Sequence, residues 1–230
     1  MGITAENVSR KYGVSRLDQD QYAYGSYVKT YKSLKNKYFK NELCQSPLKD
    51  EVRKDTTSSK LTQLKPVFKK NGTVTAGNAS SLNDGAAFLA IASHDYIKAN
   101  KIKPLAKILS WSSSAGNPDY MGITPITAIQ KLMKKMSVNI SYFDLIEINE
   151  AFAATSVAVQ QTLKIDPNKL NVVGGAIALG HPIGCSGTRD QVLASLQPLS
   201  LLENKGSPWL GWIQRLDGHG FCRCARQVKG

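Results

Sequence analysis

Short apolar runs alternate with segments of helical pattern in the second half of the chain, and this alternation most constrains the fold. The runs at 103–111, 143–148 and 170–173 have the length and composition of strands. A helix is expected with Thr124 as its N-cap, because the proline that follows suits the first helical position and apolar residues then recur on one face. A second, alanine-rich helix is expected over 151–163. Strands that alternate with helices predict a layered α/β fold.

Two unusual groups of residues flank the alanine-rich helix. Asn149 and Glu150 directly follow the apolar run at 143–148, and His181 lies in a loop with many glycines. Those glycines stand at 174, 175, 180, 184 and 187, where they permit unusual backbone angles and close approach of a ligand. A histidine suits proton transfer because its pKa lies near neutrality. A single histidine in such a loop is also commonly structural or solvated, so both interpretations are open at this point.

The first 36 residues are expected to be helical in two segments. Thr4 is the candidate N-cap of the first segment. Ser15 is the candidate N-cap of the second, because Asp18 follows three residues later at the positive end of the helix.

Bulk properties narrow the class of protein. The 230 residues are enough for one large or two small domains. No run approaches the ~18 apolar residues that a membrane helix needs. The N-terminus has neither an apolar signal core nor an Arg-rich transit pattern, so a cytoplasmic location is expected. The cysteines at 44, 185, 222 and 224 form no C-x-x-C pair, which favours neither a metal site nor a disulfide.

Four blocks of sequence resemble the thiolase family of acetyl-CoA acetyltransferases and 3-ketoacyl-CoA thiolases. They are MGITAENVSRKYGVSRLDQDQYA at the start, GTVTAGNASSLNDGAA from Gly72, NEAFAATS from Asn149, and NVVGGAIALGHPIGCSGTR, which ends at Arg189. The blocks follow the family's order along the chain. After Arg189 the resemblance fades and the composition changes abruptly, as a shifted reading frame would produce.

The resemblance implies a thiolase-like layered α/β fold, of which this chain holds the C-terminal half and part of the loop domain. Residues 1–82 would belong to the loop domain that covers coenzyme A, and 83–103 would be a remnant edge of the N-terminal domain. Residues 104–230 would form the C-terminal domain, with 190–230 divergent.

The apolar run FLAIAS at 88–93 can be a strand or a buried helix end on its pattern alone. The resemblance implies a strand, after a short helix that begins near Asp84. Its sheet neighbours in the family lie in the first half, so open strand edges predict aggregation or pairing with another chain. The family also implies a homo-oligomer, dimer or tetramer, and neither nucleic acid nor a membrane as partner.

The resemblance also implies the chemistry. A thiolase joins or splits acyl-CoA molecules through a thioester on a cysteine. His181 would activate that nucleophile and face a thioester oxygen. Asn149 would hold a water that completes the same oxyanion site.

Coenzyme A and acyl-CoA are the implied substrates, with no permanently bound cofactor. The resemblance places Arg53 near the adenine end, Ser80 near the pantetheine chain, and Ala151 and Phe152 in the same binding site. Coenzyme A would also account for some of the charge, which is +13 overall and +8 between residues 29 and 70. The other interpretations are a solvated basic face and nucleic-acid binding, although no fold motif supports the latter.

Both cysteines of the family's chemistry lack a counterpart. The family nucleophile lies upstream of the block that contains Met1, and the second cysteine sits in a C-x-G-G-G-type turn beyond the GHPIG histidine. The corresponding region contains neither a cysteine nor a glycine triplet, and Cys222 and Cys224 come later. Cys185 is a weak substitute nucleophile, since small residues are tolerated at that position. We therefore expect a thiolase-type acyltransferase without turnover as this chain alone. The alternative is a non-enzymatic remnant that acts as a partial coenzyme A-binding or oligomer-interface module.

Overall fold

The computed structural model describes residues 1–44, 52–196, 208–214 and 220–227. The helices are α1 (Gly2–Tyr12), α2 (Arg16–Lys35), α3 (Ser58–Thr62), α4 (His94–Ala99), α5 (Thr124–Met136), α6 (Ala153–Leu163), α7 (Ala176–Leu179) and α8 (Ile183–Leu196). The strands are β1 (Ala106–Ser114), β2 (Leu145–Ile148), β3 (Pro208–Gln214) and β4 (Gly220–Gln227). Short 3-10 helices span Pro118–Ile123 and Ile140–Tyr142. The predicted α/β fold is confirmed.

The four strands form one mixed sheet in the order β1-β4-β3-β2. β4 is antiparallel to both β1 and β3, whereas β2 and β3 are parallel. The two strands that follow Arg189 therefore lie between the two strands that precede it in the chain. The tail was expected to be foreign in sequence, yet its backbone completes the sheet.

The run predicted as a strand at 170–173 makes only one ladder contact, so that prediction is wrong in extent. Leu170 forms an isolated parallel bridge to Ile146, with Ile146 N donating to Lys169 O and Asn171 N donating to Ile146 O. Asn171 has a φ of 45°. This left-handed conformation turns the chain away from β2 before a second pair can form.

The main hydrophobic core lies between α5, α6 and the β2 edge of the sheet. It is built from fully buried side chains such as Ile129, Leu132, Phe143 and Ile146. Burying each such side chain contributes roughly 1.5–3 kcal/mol. α5 also packs on β1 and β4, α8 packs on β2 and β3, and α1 and α2 pack against α6. This packing fixes the N-terminal helices relative to the turn that follows β2.

The helix-start predictions have mixed outcomes. Ser15 caps α2 in a complete capping box, in which its side chain accepts from Asp18 N and the Asp18 carboxylate accepts from Ser15 N. The prediction for Thr4 is wrong, because α1 already begins at Gly2 and the Thr4 hydroxyl donates to Met1 O. The prediction that Thr124 caps α5 is wrong by one residue, because Ile123 is the N-cap and Thr124 is already the first helical residue, with its hydroxyl donating to Met121 O.

The apolar run at 88–93 forms no strand, and no helix begins near Asp84; both expectations are wrong. Residues 80–93 have no regular secondary structure. Phe88 is 91% exposed and Leu82 is 88% exposed. A strand needs a neighbour for its backbone groups, and none of the described segments pairs with 88–93.

None of the helices in the described part of the chain is both long enough and apolar enough to cross a membrane.

Candidate functional site

The structure brings His181 and Asn149 into contact, although 31 residues separate them in the chain. Asn149 directly follows β2, and His181 lies between α7 and α8. Asn149 Nδ2 is 3.3 Å from His181 Nε2. Both residues are half-buried. The sequence-predicted pair therefore forms one polar site at the carboxyl end of β2.

A serine that the sequence analysis did not single out holds the other side of the imidazole. Ser186 Oγ is 2.6 Å from His181 Nδ1 and also donates to Pro182 O at 3.1 Å. Ser186 is only 2% exposed. Ser186 lies on the first turn of α8, which begins at Ile183 and turns residue 186 back towards the loop. The sequence would have pointed to Ser186 only if this helix start had been predicted.

The loop from Gly180 to Pro182, which carries the histidine, is hydrogen-bonded to Ser81 on one side and to Arg189 of α8 on the other. His181 N donates to Ser81 O at 3.0 Å, and Arg189 Nη1 donates to Gly180 O at 2.8 Å. Burial lowers the pKa of His181, and the nearby positive charge of Arg189 lowers it further. The imidazole is therefore neutral at physiological pH, as a proton acceptor must be.

The carboxamide of Asn149 carries an unused acceptor. Its Oδ1 is buried and has no hydrogen-bond partner among the described residues. Buried polar atoms in folded proteins are normally paired with protein or water. This oxygen is thus suited to accept from a bound water or from a ligand.

Glu150 holds the turn that carries Asn149. Its buried carboxylate accepts from the side chains of Tyr22, Ser26 and Asn171 and from Ile177 N, at 2.6–3.2 Å. These four donors come from α2, from the segment after the Leu170 bridge, and from α7. Burial and the Glu150 charge raise the pKa of Tyr22 well above its usual value. Glu150 therefore joins α2 to the site.

Glycine is required where α7 approaches this carboxylate. A Cβ on Gly175 would overlap the carboxyl carbon of Glu150. Gly175 is expected from the sequence to permit unusual backbone angles, but in the structure close packing against Glu150 is what requires a glycine there.

Three of the four residues predicted to bind coenzyme A are adjacent. Ala79 forms an antiparallel bridge with Phe152, and both the backbone N and the hydroxyl of Ser80 donate to Ala151 O. The Phe152 ring meets that of Phe68 edge to face, with centroids 6.2 Å apart. Ser80, Ala151 and Phe152 thus form one continuous strip beside Asn149.

Arg53 is the fourth predicted residue, and the structure does not join it to that strip by a hydrogen bond. It is exposed. Its charge lowers the pKa of Tyr27, although burial has the larger effect and raises it. Tyr27 packs with Leu61 and Ala153, and Ala153 follows directly after the strip.

Cys185, next to the site, does not offer an activated thiolate. Cys185 is buried, and burial raises the pKa of its thiol. Cys44 is exposed, and Cys222 and Cys224 lie on β4 opposite Ser112 and Ser110 of β1. No three His, Cys, Asp or Glu residues in the described ranges are grouped as a metal site would need.

Two family profiles match the chain: the thiolase N-terminal domain over residues 1–95 and the thiolase C-terminal domain over residues 102–207. The second match extends beyond Arg189, where the motif resemblance was seen to fade. Residues 208–230 lie outside both matches.

Curated relatives and solved structures agree with these profiles. A probable acetyl-CoA acyltransferase of Staphylococcus aureus is 46% identical over 201 residues, which cover 82% of this chain and 51% of the relative. The chain thus spans about half the length of the curated relatives that it matches. A crystal structure of Bacillus anthracis acetyl-CoA acetyltransferase superposes with a TM-score of 0.91 at 37% identity, covering 99% of this chain and 60% of that one. Human mitochondrial 3-ketoacyl-CoA thiolase in complex with CoA gives a TM-score of 0.90 at 37% identity, covering 99% and 59%.

Proposed function

The chain belongs to the thiolase family, and on that premise we propose that it carries the histidine–asparagine half of an acyl-CoA acyltransferase site. The reaction class is the formation or cleavage of acetoacetyl-CoA. The observation that carries this proposal is the contact between Asn149 Nδ2 and His181 Nε2 next to a buried, unpartnered Asn149 Oδ1.

The geometry supports two successive roles for His181 Nε2. A neutral His181 with a lone pair on Nε2 can take the proton from a cysteine thiol, and the resulting Nε2–H can then donate to a thioester oxygen. A water held by Asn149 Oδ1 would be a second donor at the same place. Removing one such donor from an oxyanion site typically lowers the rate by roughly a hundred- to a thousandfold.

We assign coenzyme A binding to the strip of Ser80, Ala151 and Phe152, with Arg53 at the phosphate-bearing end. The local excess of basic residues supports an anionic ligand. Calorimetric titration of coenzyme A into Arg53→Ala should show weaker binding with a smaller salt dependence. Lys98→Ala, which removes an equal charge from exposed α4, is the control. Unchanged binding in Arg53→Ala would leave Arg53 as a surface charge only.

A protein consisting of these 230 residues should have no thiolase turnover. Its only cysteines are Cys44, Cys185, Cys222 and Cys224, and none follows the family's pattern for the nucleophile or the second catalytic cysteine. Without both cysteines, neither the thioester nor the α-proton step can proceed. Purified protein would be given acetoacetyl-CoA and coenzyme A, and acetyl-CoA formation would be followed. Turnover that persists in His94→Ala but disappears in His181→Ala would contradict this proposal.

A second candidate function is an interaction module without catalysis. The exposed apolar side chains between Leu82 and Trp111 favour it, because a monomer rarely leaves so many large apolar groups in water. Self-association into a dimer or tetramer would cover them. Light scattering after size exclusion measures this directly. Oligomers without coenzyme A affinity would favour the interface module, and coenzyme A affinity would favour the half-site.

A further inference from the structure

The contacts of Ser186 restrict how His181 can be protonated. Ser186 Oγ lies 2.6 Å from His181 Nδ1 and donates its single proton to Pro182 O at 3.1 Å. With that proton engaged, the hydroxyl can only accept from the ring, so Nδ1 must carry the proton.

A second contact on the opposite side of the ring leads to the same protonation. Asn149 presents its Nδ2 donor to His181 Nε2 at 3.3 Å. An amide N–H needs a lone pair to donate to, and Nε2 has one only when the neutral ring is protonated at Nδ1. The two contacts come from separate segments, α8 and the turn after β2, and they agree.

We propose that Ser186 is a positioning residue that holds His181 as the Nδ1–H tautomer, with the Nε2 lone pair directed towards Asn149. This deepens the proposed function and rests on it, because only that lone pair can take a thiol proton at the site. Ser186 acts through the imidazole, which it contacts at Nδ1, whereas Asn149 contacts Nε2. Its buried position on the first turn of α8 keeps water from competing for Nδ1.

The structure also defines the competing arrangement. If Ser186 donated to Nδ1 instead, Nε2 would carry the proton, and Asn149 would have to rotate its amide to offer Oδ1. That rotation would move Nδ2 into the buried position that Oδ1 now occupies without a partner. Loss of the Ser186 hydroxyl should therefore drive the ring and the amide together into this second arrangement.

Nitrogen-15 NMR of the full chain with labelled histidine distinguishes the two tautomers, because protonated and unprotonated ring nitrogens have well-separated shifts. The chain has three histidines, so the His181 signals are assigned by their absence in His181→Gln. The variants are Ser186→Ala, Ser186→Thr, which retains a hydroxyl, and Ser33→Ala. Ser33 is the matched control, since it is also a buried helical serine that donates to the carbonyl four residues earlier.

We expect Nδ1–H to be the main neutral form in the wild type, in Ser186→Thr and in Ser33→Ala, and to become the minor form in Ser186→Ala. If Ser186→Ala does not fold, Ser186→Cys, a weaker acceptor, should give a mixture. A wild-type ring protonated at Nε2, or a tautomer unchanged by Ser186→Ala or Ser186→Cys, would overturn the proposal. No turnover is needed, so this result is independent of the activity assay.

Discussion

Two apolar runs of strand-like composition differ in this molecule: one forms a buried strand, and the other stays irregular and exposed. The run at 143–148 becomes β2 and its approach, in which Phe143 is 0% exposed. The run at 88–93 remains irregular, and Phe88 is 91% exposed. Burial is therefore decided by which neighbours the chain provides and not by composition alone.

The neighbours of the first run are easily named. β2 pairs with β3 on one side and with Leu170 on the other, and the turn after it is held by the four donors to Glu150. The second run follows a segment that contacts the rest of the chain chiefly through the histidine loop. There Ser81 O accepts from His181 N, and Gly85 lies against Pro182.

The sharpest test of this comparison is a pair of identical truncations. Phe143→Ala should lower the free energy of unfolding by about 3–5 kcal/mol, since it removes a buried ring and leaves a cavity. Phe88→Ala should change it by less than about 0.5 kcal/mol, because the ring already lies in water. Urea unfolding followed by circular dichroism measures both. Similar losses for the two variants would show that 88–93 is packed in solution.

The next largest effect should come from Glu150→Ala. This change leaves buried donors, among them the Ser26 hydroxyl and Ile177 N, without an acceptor, and should lower the free energy of unfolding by roughly 3 kcal/mol or more. Asp55→Ala, which removes an exposed ion pair with Lys60, is the control and should have little effect. If Glu150→Ala behaves like the control, polar contacts do not hold the turn.

Gly175→Ala should lower the free energy of unfolding by a smaller amount, because the added Cβ overlaps the Glu150 carboxyl group. Such overpacking typically costs about 1–3 kcal/mol of stability. Gly25→Ala is the matched control in the interior of α2, where a Cβ meets nothing within 4 Å. It should stabilise the protein by about 0.5–1 kcal/mol. Losses in both variants would indicate a general intolerance of alanine and not a close contact at Gly175.

Within any one pH unit, the smallest predicted effect is a slope in the pH dependence of stability. Burial raises the pKa of Asp190 to about 7, and the Arg189 charge opposes this only in part. The folded state then binds the proton more tightly than the unfolded state. The free energy of unfolding should therefore fall as pH rises from about 4 to about 7, by at most about 1.4 kcal/mol per pH unit.

Two variants separate this slope from that of the neighbouring histidine. The lowered pKa of His181 acts in the opposite direction below pH 6.5, because its neutral form is favoured by folding. Asp190→Asn should flatten the fall between about pH 4 and 7, whereas His181→Gln should steepen it just below pH 6.5. A profile that is unchanged in Asp190→Asn would mean that this carboxyl is ionised in the folded state.

Local chemistry in the sequence determined several features of this protein. The capping box of Ser15 and Asp18 and the start of α5 beside Pro125 depend on residues within one helical turn. The glycine-rich loop and the NEAF turn were enough to indicate the thiolase family. Each of these features depends on residues that are close together in the chain, so the sequence alone predicts it.

The tertiary structure decided what depends on distant partners. Tyr22 and Ser26 reach Glu150 from more than 120 residues away, and Ser186 completes the histidine site only because α8 begins at Ile183. β3 and β4 enter the middle of the sheet although they lie outside both family matches, since a ladder is made by backbone groups that every residue except proline supplies in full. The run at 88–93 stays outside the sheet for the complementary reason. Strand propensity has no effect until another backbone lies beside it.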